Sequence, residues 1–335
     1  MKKRGSLIVV LGTILVLVAF IDSASCMGSS NPRLGGFGGV GIAVTPRSNL
    51  TPLHINPAAP GRSRVAQIVL SSAVGGFEND TYYDDTYYDD ISIAFDGEVY
   101  VPLNSLTLFG SIHGDYQITN VRGSEYGNDE DVYRFHESSI GLAGTFGDGM
   151  LSIGGEAVSW MSHYNIYDDD FETEYLFGPK GYLRGGFIIR TSEGLNLAAT
   201  YSGESKEIDS DIFTGVPETI RAGLAFQPPR GQWLIGCEYI HKDDLEYEGY
   251  TKIDGMAGFY WYAETSLDSA ILLRGGLGVV NQDEEKSAQG SLGVSLRFSK
   301  AITVDLFSKS IVSEDENSLE EYYEIVTGGG MTIRL

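Results

Sequence analysis

The sequence predicts an all-β fold, a closed barrel of fourteen antiparallel strands that crosses a membrane. Three observations predict it. From Val65 to the C-terminus, apolar and polar residues alternate with period two in run after run, as in strands with one face in an apolar medium. Many runs reach eleven to thirteen residues, closer to a tilted membrane crossing of about 9–11 residues than to a soluble strand of about 5–6. The connections alternate between long acidic stretches and tight turns, the anatomy of an up-and-down barrel with its chain ends on the short-turn side. A soluble, exported all-β protein also alternates, but its strands are shorter and pack in two layers. Closure satisfies the strand edges that lipid cannot solvate.

The elements follow in order. Lys2, Lys3 and Arg4 precede the apolar run Leu7 to Ile21 and the small residues Ser23, Ala24 and Ser25. This is the layout of a secretory signal, assigned to residues 1–25, with cleavage near Ser25 or Cys26. The apolar run is shorter than the about 20 residues that a spanning helix needs. Residues 27–64 are too rich in glycine and proline for a regular element, yet not charged enough for a plain linker. The barrel is assigned to residues 65–335. Its strands are expected at 65–77, 91–101, 106–118, 137–146, 150–166, 180–191, 195–208, 216–228, 232–243, 251–264, 270–281, 288–298, 301–312 and 323–335. The clearest is AQGSLGVSLRF, where Leu292, Val294, Leu296 and Phe298 share one face and Gln289, Ser291, Ser295 and Arg297 the other. Long connections are expected at 78–90, 119–136, 167–179, 209–215, 244–250, 282–287 and 313–322, and tight turns at PLNS, GDG, SEG, PRG, TSLDS and SK.

With 46 acidic against 23 basic residues, the chain carries a net charge of −23, which argues against nucleic acid as a partner. Acidic residues crowd the long connections. Tyrosines gather at their edges, as in TYYDDTYYDD at 81–90, Tyr164 with Tyr167, Tyr247 with Tyr250 and Tyr322 with Tyr323. Tyrosine suits a membrane–water boundary, so these read as an aromatic girdle grading into an acidic rim. Asp84, Asp85, Asp89 and Asp90, or Asp168 to Asp170, offer oxygen ligands for calcium, but without the spacing of a calcium loop. The five histidines lack ligand spacing, and no Gly-x-Ser-x-Gly elbow occurs. No enzyme, metal or cofactor is expected. Cys26 and Cys237 make no disulfide framework. The alternation points Asp96, Glu98, Asp115, Glu156, Arg184, Arg190, Arg221, Glu238, Arg274, Arg297 and Asp305 into the lumen, to fill it, to hold an inner segment, or to set selectivity.

The stretch GGFGGVGIAV, the motif Asn56-Pro57-Ala58, the strand after it and the fourteen crossings together resemble the FadL-type outer-membrane transporter family, including its relative PorV. The resemblance implies that residues 27–64 fold back as a hatch plugging the lumen, with Asn56, Pro57 and Ala58 as its motif. It implies a bacterial outer-membrane location and passage of hydrophobic, long-chain fatty acid-like small molecules. Two departures stand out: Leu335 replaces the usual terminal aromatic, and the loops are short for a large capture domain. Two other readings stay open, a diffusion porin whose acidic mouth favours cations, and a PorV-like accessory barrel that anchors an exported protein. The expected partners are outer-membrane lipid or lipopolysaccharide, a hydrophobic ligand and, in the last reading, that exported protein.

Overall fold

The computed structural model describes residues 41, 43–44, 55–79, 87–123, 127–168, 171–191, 193–209, 212–228, 232–245, 253, 255–268, 270–282, 285–315 and 321–335. The expected closed barrel is present. Its strands in chain order are β1 (Gln67–Asn79), β2 (Tyr87–Leu103), β3 (Leu106–Gly123), β4 (Gly127–Phe146), β5 (Leu151–Asp168), β6 (Phe171–Arg190) and β7 (Leu195–Ser202). After a hairpin, β8 (Ser205–Asp209) and β9 (Ile212–Val216), the wall resumes with β10 (Thr219–Phe226), β11 (Trp233–Lys242), β12 (Met256–Ser266), β13 (Ile271–Gln282), β14 (Glu285–Arg297), β15 (Ile302–Asp315) and β16 (Glu321–Arg334). Each wall strand pairs antiparallel with its sequence neighbour, β7 with β10 across the hairpin, and β1 with β16 closes the ring from Gln67↔Arg334 to Glu78↔Tyr323. Leu335 still joins the seam, its N–H donating to Ala66 O at 3.0 Å.

Alternation sorts the side chains. Leu142, Ile153, Leu183, Leu224, Leu277 and Leu292 are exposed on the outer face, whereas Ala143, Ser152, Tyr182, Ala225 and Ser291, on the other face, are buried. A surface this apolar is what a barrel wall presents to lipid. The tight turns rest on backbone that glycine or a short polar residue tolerates. Asn104 turns β2 into β3 at φ +63°, and Gly147, Asp148 and Gly149 carry β4 into β5 at φ +58°, +54° and +89°.

Three expectations need correction. The connections expected at 119–136 and 167–179 are mostly wall: β3 and β4 pair up to Gly123↔Gly127, and β5 and β6 up to Asp168↔Phe171. Outside hydrocarbon both faces of a strand are wet, so the ladder continues after the hydropathy alternation has ended. The run expected at 195–208 is broken. β7 pairs with β6 only from Arg190↔Asn196 to Arg184↔Ser202, then Gly203 N–H donates to Leu183 O at 2.9 Å and the chain leaves the wall as β8 and β9. Tyr164 is no girdle residue either. It lies edge-on to Tyr133 at 6.3 Å, and its hydroxyl donates to Asp131 at 3.1 Å. The other tyrosines of the expected girdle, apart from exposed Tyr323, and the candidate calcium aspartates have side chains outside the described residues.

Candidate functional site

The candidate site is the lumen, built first on a row of small residues. Ala143, Gly154, Gly186 and Thr200 are paired in sequence across β4, β5, β6 and β7. A Cβ on Gly154 would lie 1.9 Å from Pro57 O, and one on Gly186 2.5 Å from Asn56 Oδ1. The missing side chains therefore form a dent that the Asn56-Pro57-Ala58 turn fills. Asn56, Ala58 and Ala59 are all but fully buried. Asn56 holds the turn from both sides: its Oδ1 accepts from Ala58 N–H at 2.9 Å, and its Nδ2 donates to Phe187 O at 3.2 Å. A 3-10 turn, Ala59–Arg62, follows with proline in its first positions, where the missing N–H costs nothing. Thr145 Oγ1 then donates to Gly61 O at 2.6 Å.

A second anchor lies upstream. Gly41 N–H donates to Glu238 Oε2 at 2.7 Å, and the other oxygen of that carboxylate accepts from Arg221 at 3.2 Å. Ala43, Val44, Ala58 and Ala59 pack in one apolar cluster with Ile188, Leu234, Ile240, Tyr260 and Tyr262 of the wall.

Charged residues of the same inner face join into networks. Arg184 reaches Glu156 at 2.9 Å, Glu137 at 3.2 Å and the Tyr182 hydroxyl at 2.8 Å, and that hydroxyl donates to Glu137 at 2.7 Å. Arg274, with Glu264 at 2.9 Å and Asp305 at 3.0 Å, is buried, and Ser295 bonds to both Arg274 and Asp305. His113 bridges Asp96 at 2.5 Å and Asp115 at 3.2 Å, while Tyr100 donates to Glu98. Arg190 stands near Arg62, and Arg297 near Arg334. Burial, and then the charge of Arg190, push the Arg62 guanidinium down to about 10. The expected lumen residues thus fall into three networks, the Glu98–Tyr100 pair and two arginine pairs, with Arg221 and Glu238 as the upstream anchor. Glu137, His113, Tyr182 and Glu264 belong to them as well; extending the same alternation to every polar residue of these strands would have found them. Among the described residues no group of three or more His, Cys, Asp or Glu could hold a metal ion.

β8 and β9 add to this inner surface. Trp160 Nε1 donates to Ser205 Oγ at 2.9 Å, Gly178 N–H donates to Glu207, and Lys180 pairs with Glu207 at 3.4 Å. Val216 packs on buried Val158, Trp160, Phe177 and Tyr182.

No family profile matches the chain, and no curated protein does. Solved structures do. The chain is similar to the CymD monoaromatic hydrocarbon channel, with TM-score 0.72 and 11% identity over 93% of this chain and 99% of that one. It is similar to a TodX monoaromatic hydrocarbon channel in its deltaS2S3 mutant form, at 0.73 and 10% over 94% and 100%. A FadL homologue from Pseudomonas aeruginosa aligns at 0.67 and 10% over 93% and 99%. Identities this low show a shared fold.

Proposed function

We propose that this chain is a bacterial outer-membrane transporter that passes hydrophobic small molecules, with residues 27–64 as a hatch in the lumen of a barrel spanning 65–335. The observation that carries the reading is the apolar cluster inside the ring, where Ala43, Val44, Ala58 and Ala59 meet Ile188, Leu234, Ile240, Tyr260 and Tyr262. An open porin keeps a polar, water-filled interior; here an apolar patch stands among the charged networks of the inner face, and the turn at 55–62 packs on it. The likeness to hydrocarbon channels and to a FadL homologue supports the same class of cargo. The barrel's partners are then outer-membrane lipid and a hydrophobic ligand. Its lumen works by partition and steric gating, with no bond made or broken.

Two measurements on the intact protein test this. In planar bilayers the full-length barrel should be nearly silent, and deletion of residues 31–64 should open a steady current. In vesicles it should speed entry of a neutral aromatic hydrocarbon and leave a sugar of similar size unaffected. A large current from the intact chain would return the diffusion porin to first place, and a stoichiometric exported partner without any transport would return the anchoring reading.

A further inference from the structure

The outer wall of β10 to β14 is not evenly filled. Ile235, Ala263, Gly275 and Leu292 lie in one cross-strand row, and Leu224, Cys237, Trp261 and Leu277 in the next. Large side chains border the two rows, and Cys237, Ala263 and Gly275 form the floor between them. The result is a groove of about 630 Å³ lined almost wholly by carbon. It crosses five strands at a spacing of about 4.8 Å, so it is about 19 Å long; with the strands tilted about 40° it rises about 12 Å, within one leaflet of an about 30 Å hydrocarbon core. A wall meant only to meet fluid lipid gains nothing from such a groove, because its floor loses contact with any chain that does not enter.

We propose that this groove seats one acyl chain of a membrane phospholipid, an inference that rests on the reading of the chain as a membrane barrel but not on what it transports. The position favours a phospholipid over a free hydrocarbon. At one end Phe226 and Trp233 meet at 5.5 Å beside the turn that joins β10 to β11. Paired outward aromatics next to a turn mark the headgroup level, so a lipid with its polar end there lays its tail along the floor. Midway along, Trp261 of β12, braced by Phe259 at 4.8 Å, walls one side of the groove, and Leu292 of β14 lies at its far end.

The groove can be closed without disturbing the wall. A Cβ on Gly275 would meet only Ser291 O at 3.5 Å and Leu292 Cδ2 at 3.7 Å, ordinary contacts. Native mass spectrometry of the detergent-solubilised, full-length protein with added phosphatidylethanolamine should show one retained phospholipid. In the double variant Ala263→Leu, Gly275→Leu that adduct should fall at least tenfold, while heat-modifiable migration on gels shows the barrel still folded. A leucine added on the outer face but off the groove floor, Ala222→Leu, should keep the adduct. Equal retention in the double variant, or no adduct on the wild type, overturns the proposal. A dimer that replaces the adduct and is lost in the double variant would assign the groove to a second copy instead. Failure of transport with the lipid retained would count against the function proposed above and leave this site standing.

Discussion

Gly154 shows how one missing methyl leaves room for a turn against the inner face of the wall. Any side chain there strikes Pro57 O, which is backbone and cannot rotate away. Gly154→Leu should therefore unseat the Asn56-Pro57-Ala58 turn while the wall, bonded by its ladders, stays closed. Bilayer current should rise from near silence toward that of the 31–64 deletion; an unchanged, silent barrel would refute the seat. Arg274 is the energetic counterpart. Arg274→Met leaves Glu264 and Asp305 buried without their cation, a loss of about 3–5 kcal/mol in reversible urea unfolding from lipid vesicles. Replacing all three, with Glu264→Gln and Asp305→Asn, should recover most of it, since removing a buried pair whole costs far less than breaking it. Arg62 works in the opposite sense. Its charge is disfavoured in the folded state, a penalty fully present at pH 7 and relieved only as pH rises through about 10. Arg62→Met should therefore slow protease cleavage within residues 27–64 at neutral pH.

At the scale of elements, alternation marks where a strand touches lipid and not where it stops. β4 and β5 run far past their apolar stretches because paired backbone is satisfied in water as well as in oil. Ile140, 63% exposed near the middle of the apolar part of β4, tests where that band lies. Ile140→Arg should destabilise the barrel in lipid by about 2–4 kcal/mol, the cost of a cation at midplane depth; a water-facing site would show almost no change. The β8–β9 hairpin was not legible at all, because 195–208 keeps a strand-like composition on both sides of Gly203. Its docking partner, Trp160, gives the check. Replacing 205–216 by a short glycine–serine link should shift Trp160 emission to the red in a Trp233→Phe, Trp261→Phe background.

Across the whole molecule the wall is uneven in height. β2 to β6 have 17 to 20 residues, whereas β7 and β10 have 8 each. At about 3.3 Å per residue and a tilt of about 40°, eight residues rise only about 20 Å, less than the about 25 Å apolar band of such barrels. In the membrane placement proposed above, the low side would thin the bilayer around it. Folding yield should accordingly be higher in vesicles of twelve-carbon than of eighteen-carbon lipids, and equal yields would contradict the mismatch.

The sequence by itself determined the strand number of the wall and the inward face of nearly every charged residue named above. Those features are local: a period of two and a turn residue act within a few positions of the chain. What only the tertiary structure decided was which inward residues meet. Gly154 and Gly186 lie on different strands, far apart in the chain, yet form one dent, and Arg274 finds Asp305 across two strand boundaries. Such contacts depend on register and closure, set by the whole ring at once, and no window of sequence contains them.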